Sequence, residues 1–151
     1  MPNEAQLSVP YQAVRTLANL ANNVSVELDI SADAAASTTT AETLLGRVYV
    51  AGTITAVKVT GATAITASDS VYATITVYAR DTNGANQVTV ATLTTKITGG
   101  SGNWTAFKPV DFGAITNGTV GAGWVLTYAV AKASTGTQLP LMHIQAILSA
   151  N

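Results

Sequence analysis

The sequence predicts an all-β chain folded as an antiparallel sandwich of about eight strands. Three observations lead there. From Val24 onward, apolar and polar residues alternate at the strand period of two. Gly, Asn, Asp and Pro part these runs at short intervals, as turns require. No helical periodicity interrupts them before the chain ends. At 151 residues, one domain buries roughly 68–70% of its unfolded surface, which suffices for a core without staples.

Residues 1–22 stand apart as an N-terminal arm, and residues 23–151 form the sandwich. The arm carries Leu7, Val9, Tyr11, Val14, Leu17 and Leu20. The last three are at helical spacing behind Pro10, so a short helix and an extended arm both fit. "VSVELDI" then alternates cleanly through Val24, Val26, Leu28 and Ile30. "SADAAASTTTAE" (31–42) is small and polar, and reads as a loop. "TLLGRVYVAG" and "TITAVKVT" are two strands parted at Gly52. "GATAITASDS" connects them to "VYATITVYARDTNG", and "QVTVATLTT" returns antiparallel. "GGSGN" (99–103) is a turn. "WTAFKPVDFGAI" is strand-like but holds Pro109, which confines it to an edge or a bulge. "GWVLTYAVAK" and "LMHIQAILSA" complete the set.

The hairpin over residues 71–95 permits a register reading. Asn83-Gly84 suits a two-residue type I′ turn. That loop sets Ala79 opposite Val88, Val77 opposite Val90, Tyr78 opposite Thr89 and Arg80 opposite Gln87. Apolar then meets apolar on the face of Val71, Ala73, Ile75, Val77 and Ala79. The other face shows Tyr72, Thr74, Thr76, Tyr78 and Arg80 to the outside, with one charge at its end.

That poverty of charge extends along the chain. Charged residues are 10% of the sequence and the net charge is −1, against about 25% charged in an ordinary domain. Thr and Ala supply a third of the residues. Charge repulsion keeps soluble monomers apart, and this chain has little of it. Its surface fits a protein packed against its own copies or a larger body. Seven basic residues, scattered, make no nucleic-acid patch. The uncharged runs Phe112–Ala131 and Ala133–Asn151 carry Thr, Asn, Gly and Gln at strand period, so no membrane span is expected. "MPNEAQLSVPYQ" lacks the features of a signal peptide, which predicts a soluble product without an export tag.

Candidate chemistry is sparse. The chain has no cysteine, which removes disulfides, thiolate metal sites and a cysteine nucleophile. His143 is the sole histidine, and its strand-face neighbours Leu141, Gln145 and Ile147 include no acid to orient it. One imidazole does not hold a zinc. Glu27 and Asp29 sit two apart on one strand face without a second pair and read as solvated residues. Asp69 and Asp81 read as turn formers. No P-loop, dinucleotide fingerprint or nucleophile elbow is present. The expectation is a non-enzyme without cofactor, metal or small-molecule substrate. Trp104, beside the Gly-rich turn, is the aromatic best suited to an interface or to a sugar-stacking platform.

Several stretches together resemble a known class. "AGTITAVKVTGATAITASDSVYATITVYARDTNG", "VATLTTKIT", "GNWTAFKPVDFGAI" and "GTVGAGWVLTYAVAKASTGTQLPLMHIQAIL" are similar to jelly-roll-like capsid decoration (cement) proteins of tailed phages. The matching positions are Gly52 and Ile54, Asp81 to Gly84, Val120 to Thr127, Gly136 and Pro140, over roughly residues 44–149. The resemblance implies a jelly-roll-like sandwich that binds the outer capsid as a homotrimer, helped by the N-terminal arm. Its partners are then the major capsid protein and itself, and its place is the virion, after synthesis in the host cytoplasm. Leu7, Val9, Tyr11, Val14, Leu17, Leu20, Tyr72, Tyr78 and Trp104 are the expected interface residues. A head-fibre or tail-fibre domain binding a receptor or glycan is the alternative, with Trp104 as its platform. A self-associating bacterial surface sandwich is a third, disfavoured by the missing export signal.

Overall fold

The computed structural model describes residues 27–34, as backbone, together with 41–133 and 139–150. Nine strands follow in order: β1 (Glu27–Ala34), β2 (Thr43–Arg47), β3 (Gly52–Gly61), β4 (Ala73–Arg80), β5 (Gln87–Thr94), β6 (Pro109–Asp111), β7 (Thr119–Val120), β8 (Val125–Lys132) and β9 (Met142–Ala150). No helix occurs among the described residues. One antiparallel sheet has the order β1-β9-β3-β6, with β7 also on β3; the other runs β2-β8-β4-β5. The pairing is nested: β1 with β9, β2 with β8, β3 with β6 and β7, β4 with β5. A long hairpin rolled up in that nesting is a jelly roll. β6 and β7 share one strand position along β3, so nine segments fill eight places.

Alternation drives the inner faces together. β4 sends Ala73, Ile75, Val77 and Ala79 inward, and β9 sends Met142, Ile144, Ala146 and Leu148. Leu126, Tyr128 and Val130 of β8 join one continuous core with Ile54, Val57 and Val59 of β3. β3 keeps its face only by a bulge. Ile54 pairs Leu148 and Ala56 pairs Ile147, leaving Thr55 over; the extra residue restores the inward direction at Val57. Gly52 opens β3, where a Cβ would lie 2.3 Å from the Ser149 carbonyl oxygen. Glycine is what lets β3 and β9 close at that point.

The hairpin register holds near its turn and fails beyond it. Arg80 faces Gln87, Ala79 faces Val88 and Tyr78 faces Thr89, but Val77 faces Ala91. Val90 is the surplus residue of a bulge, and both it and Ala91 are buried. The turn is also not the two-residue form. Asp81 N–H donates to Asn86 O at 3.2 Å and Gly84 N–H to Asp81 O at 2.9 Å, so the loop is Thr82–Ala85, with Gly84 at φ +71°. The Asp81 carboxylate accepts from the N–H groups of Asn83 and Ala85 and from Asn86 Nδ2. An aspartate that satisfies those donors stabilises the longer loop over a tight one.

The β5 bulge also explains why β6 and β7 are separate. Between them the chain leaves β3 and crosses to the other sheet. There Thr116 N–H donates to Val90 O at 2.9 Å, and Thr116 Oγ1 and Asn117 Nδ2 donate to Thr89 O. At the far end of β5, the Ser101 N–H and Oγ donate to Thr94 O. The middle and the C-terminal end of that edge are thus covered. Pro109 begins β6 on the edge of its sheet, as its missing N–H demands.

Other boundaries moved. Residues 31–34, read as loop, extend β1 and pair with β9 from Gln145 to Met142; ladder bonds to a neighbour outweigh weak local propensity. Val71, read as the first inward residue of its strand, precedes β4 and is exposed. "WTAFKPVDFGAI" is not one strand. Trp104 makes an isolated bridge with Ile65, and only residues 109–111 are strand. The arm or helix read for residues 1–22, with Leu7, Val9, Tyr11, Val14, Leu17 and Leu20, lies outside the described residues.

Candidate interaction surface

The outward face of the β2-β8-β4-β5 sheet carries the tyrosines. Across it Tyr78 lies between Thr127 and Thr89, Thr76 between Ala129 and Thr92, and Thr74 between Ala131 and Thr94. Leu44, opposite Thr127 on β2, extends this face and is 62% exposed. Tyr72 and Tyr78 are half-buried. Lys96 Nζ stands 4.2 Å from the Tyr72 ring centroid, a cation–π contact that occupies one of the few charges nearby. The rest of the face is methyls, hydroxyls and rings.

Arg47 stays exposed at the end of this face, in register with Val125, while Arg80 on the other side of Val125 is paired at one carboxylate. Glu42, just ahead of β2, accepts from Arg80 Nε at 2.7 Å and from Gln87 Nε2 at 2.8 Å. Arg80 Nη2 forms an ion pair with it, and Thr127 Oγ1 donates to its other oxygen. Arg80 Nη1 also donates to Gly84 O at 2.9 Å. One side chain therefore joins the approach to β2 with β8, β4 and β5. The Arg80 hydrogen bonds pull the Glu42 carboxyl down to about 2, against the opposing effect of burial. Glu42 also covers Thr127, which is why a threonine on an outward face is buried.

A second surface lies at the end of the sandwich that holds the β3–β4, β5–β6 and β8–β9 connections. Residues Thr105–Lys108 make a turn in which Lys108 N–H donates to Thr105 O at 3.2 Å. Phe107 within it has φ +59° and is 76% exposed, while its N–H donates to Gly61 O at 2.8 Å. Its ring walls a shallow cleft of about 170 Å³, completed by Thr60, Gly61, Ala62, Leu141, Met142 and His143. Leu141 is exposed at the rim. On the same end Asp69 is tied by the Thr98 N–H at 2.8 Å and hydroxyl at 3.0 Å, bonds that hold its carboxyl below the usual range.

Trp104 is a correction. It is 3% exposed, with its indole N–H on Ser101 Oγ at 2.7 Å and both backbone groups bonded to Ile65. The Gly-rich turn folds over the ring instead of presenting it, so Trp104 is core, not an interface residue or sugar platform. His143 is exposed on β9, in register with Asp33 and Thr60. Glu27 and Asp29 fall opposite Ser149 and Ile147. Among the described residues no three His, Cys, Asp or Glu side chains gather where they could hold a metal. No helix there is long and apolar enough to cross a membrane.

No family model, no curated protein and no solved structure matches this chain. The surfaces above therefore stand on their own geometry. Alternation in the sequence set Tyr72 and Tyr78 on the outward face, but it pointed to neither Glu42 nor Phe107. Glu42 closes a small polar run directly before an apolar strand, a place where an acid can reach across a sheet. Phe107 sits in "TAFKP", an aromatic inside the turn that leads into Pro109 and β6, and nothing in that string encodes a positive φ.

Proposed function

We propose that this protein is a capsid decoration protein, binding the outer surface of a phage head as a homotrimer and cementing neighbouring capsomers. The observation that carries the reading is the outward face of the β2-β8-β4-β5 sheet. Tyr72, Tyr78, Leu44 and a field of Thr and Ala are joined there, with Arg80 paired to Glu42 and Lys96 over Tyr72, leaving Arg47 as the exposed charge at the end of the face. Tyrosine and threonine bury area while still hydrogen-bonding, which suits a protein–protein contact. Low net charge lets copies crowd without repulsion. The resemblance over residues 44–149 supplies the kind of partner, the major capsid protein.

The mechanism is multivalent clamping. Each copy contributes modest contact area, and an oligomer touching several capsomers gains through effective concentration. Trimer assembly is read by sedimentation. Binding is read by co-sedimentation with empty heads, and cementing by their survival on heating. Tyr78→Lys, which places a charge amid the threonines, should abolish binding or trimer assembly while the domain still melts cooperatively. Empty heads that neither take up the protein nor survive longer with it would sink the proposal.

A further inference from the structure

We infer that Phe107 is an anchor that seats an aliphatic or aromatic side chain projecting from the shell to which the protein binds. The inference rests on the decoration reading and adds the residue and the chemistry of one contact. In the free domain Phe107 is doubly unfavourable. Its turn position holds φ at +59°, where glycine or asparagine is usual and a bulky residue is a genuine outlier. It also leaves three quarters of a large apolar ring in water. The bonds to Gly61 and across Thr105–Lys108 enforce that pose. Strain kept where the surrounding bonds over-determine it is a mark of function. Glycine in its place relieves both costs.

Size and area choose the occupant. A cleft of about 170 Å³ is below the roughly 300–1,000 Å³ of small-molecule sites, and it fits one side chain. Apolar groups dominate its walls, and the charge next to Phe107 in the chain, Lys108, is exposed to solvent. The ring, Leu141 and the rim offer on the order of 300 Å², well short of the roughly 800 Å² per partner in a stable pair. A second copy docked here alone is therefore too weakly held. The patch works as one point of attachment among several on a large body.

The test compares wild type with Phe107→Gly, Phe107→Asn and Phe107→Trp, each measured for melting temperature, sedimentation and co-sedimentation with empty heads. Phe107→Gly and Phe107→Asn should melt at or above wild type and keep its oligomeric state. They should bind heads about ten- to hundredfold more weakly, the loss of one buried aromatic ring. Phe107→Trp should retain binding. Wild-type affinity in the Gly and Asn variants overturns the anchor and leaves the decoration reading standing. A smaller oligomer with unchanged head binding overturns it too, by assigning the ring to a subunit contact. Wild type that binds no heads removes both.

Discussion

Replacing Glu42 with Gln tests whether one carboxylate holds a sheet together. In the folded chain its pKa is about 2, against an ordinary 4.5. At about 1.36 kcal/mol for each pH unit, that depression sets a ceiling of about 3.4 kcal/mol. The side chain is 23% exposed, and solvent screening trims the figure to about 1.5–2 kcal/mol. The sign follows from linkage: a carboxyl with a lowered folded pKa contributes fully above 4.5 and loses that contribution as pH falls toward 2. Urea titrations at pH 7, 5, 3.5 and 2.5, followed by tryptophan fluorescence, give the stability of each protein. Asp69 and Asp81 also titrate in acid, but equally in both proteins. Glu42→Gln should be less stable by about 1.5–2 kcal/mol at pH 7, with the gap closing as pH falls. A gap unchanged from pH 7 to 2.5 would refute the ionic hub, whatever its size.

Three further outcomes are expected. Gly52→Ala should destabilise the fold by about 2 kcal/mol or more in denaturant titration, because the new Cβ meets backbone that cannot move aside. Trp104→Ala should cost about 3–5 kcal/mol, as expected for a buried ring, with unfolding in urea followed by the fluorescence of the remaining Trp124; a variant as stable as wild type would return Trp104 to the surface. Thr94 Oγ1 is buried with no hydrogen-bond partner among the described residues, so Thr94→Val should raise stability by about 1 kcal/mol, read as a higher urea midpoint.

How far the sequence reached depended on the physics at each position. The inward set of β4 was readable because a period of two admits only two faces, and Ala73, Ile75, Val77 and Ala79 chose one. Pro109 was readable at an edge because a missing N–H cannot be hidden. The bulges at Thr55 and Val90 were not, since a surplus residue is selected by partners distant in sequence, Ile147 and Thr116. Trp104 misled for a similar reason. A flexible glycine run beside a ring permits exposure and burial equally, and Ser101 and Ile65 decided the matter. Tyr72 and Tyr78 were placed on the outward face by alternation alone. The hub beneath that face depends on Glu42 meeting residues of three other strands, which no local pattern records.

The nesting of strands sets an order of assembly. β9, the last of the nine to leave the ribosome, is the strand between β1 and β3. Until it arrives, β3 has only β6 and β7 on its other edge, and β1 has no partner in its sheet, so Glu27 waits for Ser149. The other sheet waits only for β8. Contacts so distant in sequence make folding slow and leave nascent edges open. A chain broken off before β9 lacks the middle of a sheet, so β1 is left with no strand to pair and the sandwich cannot close.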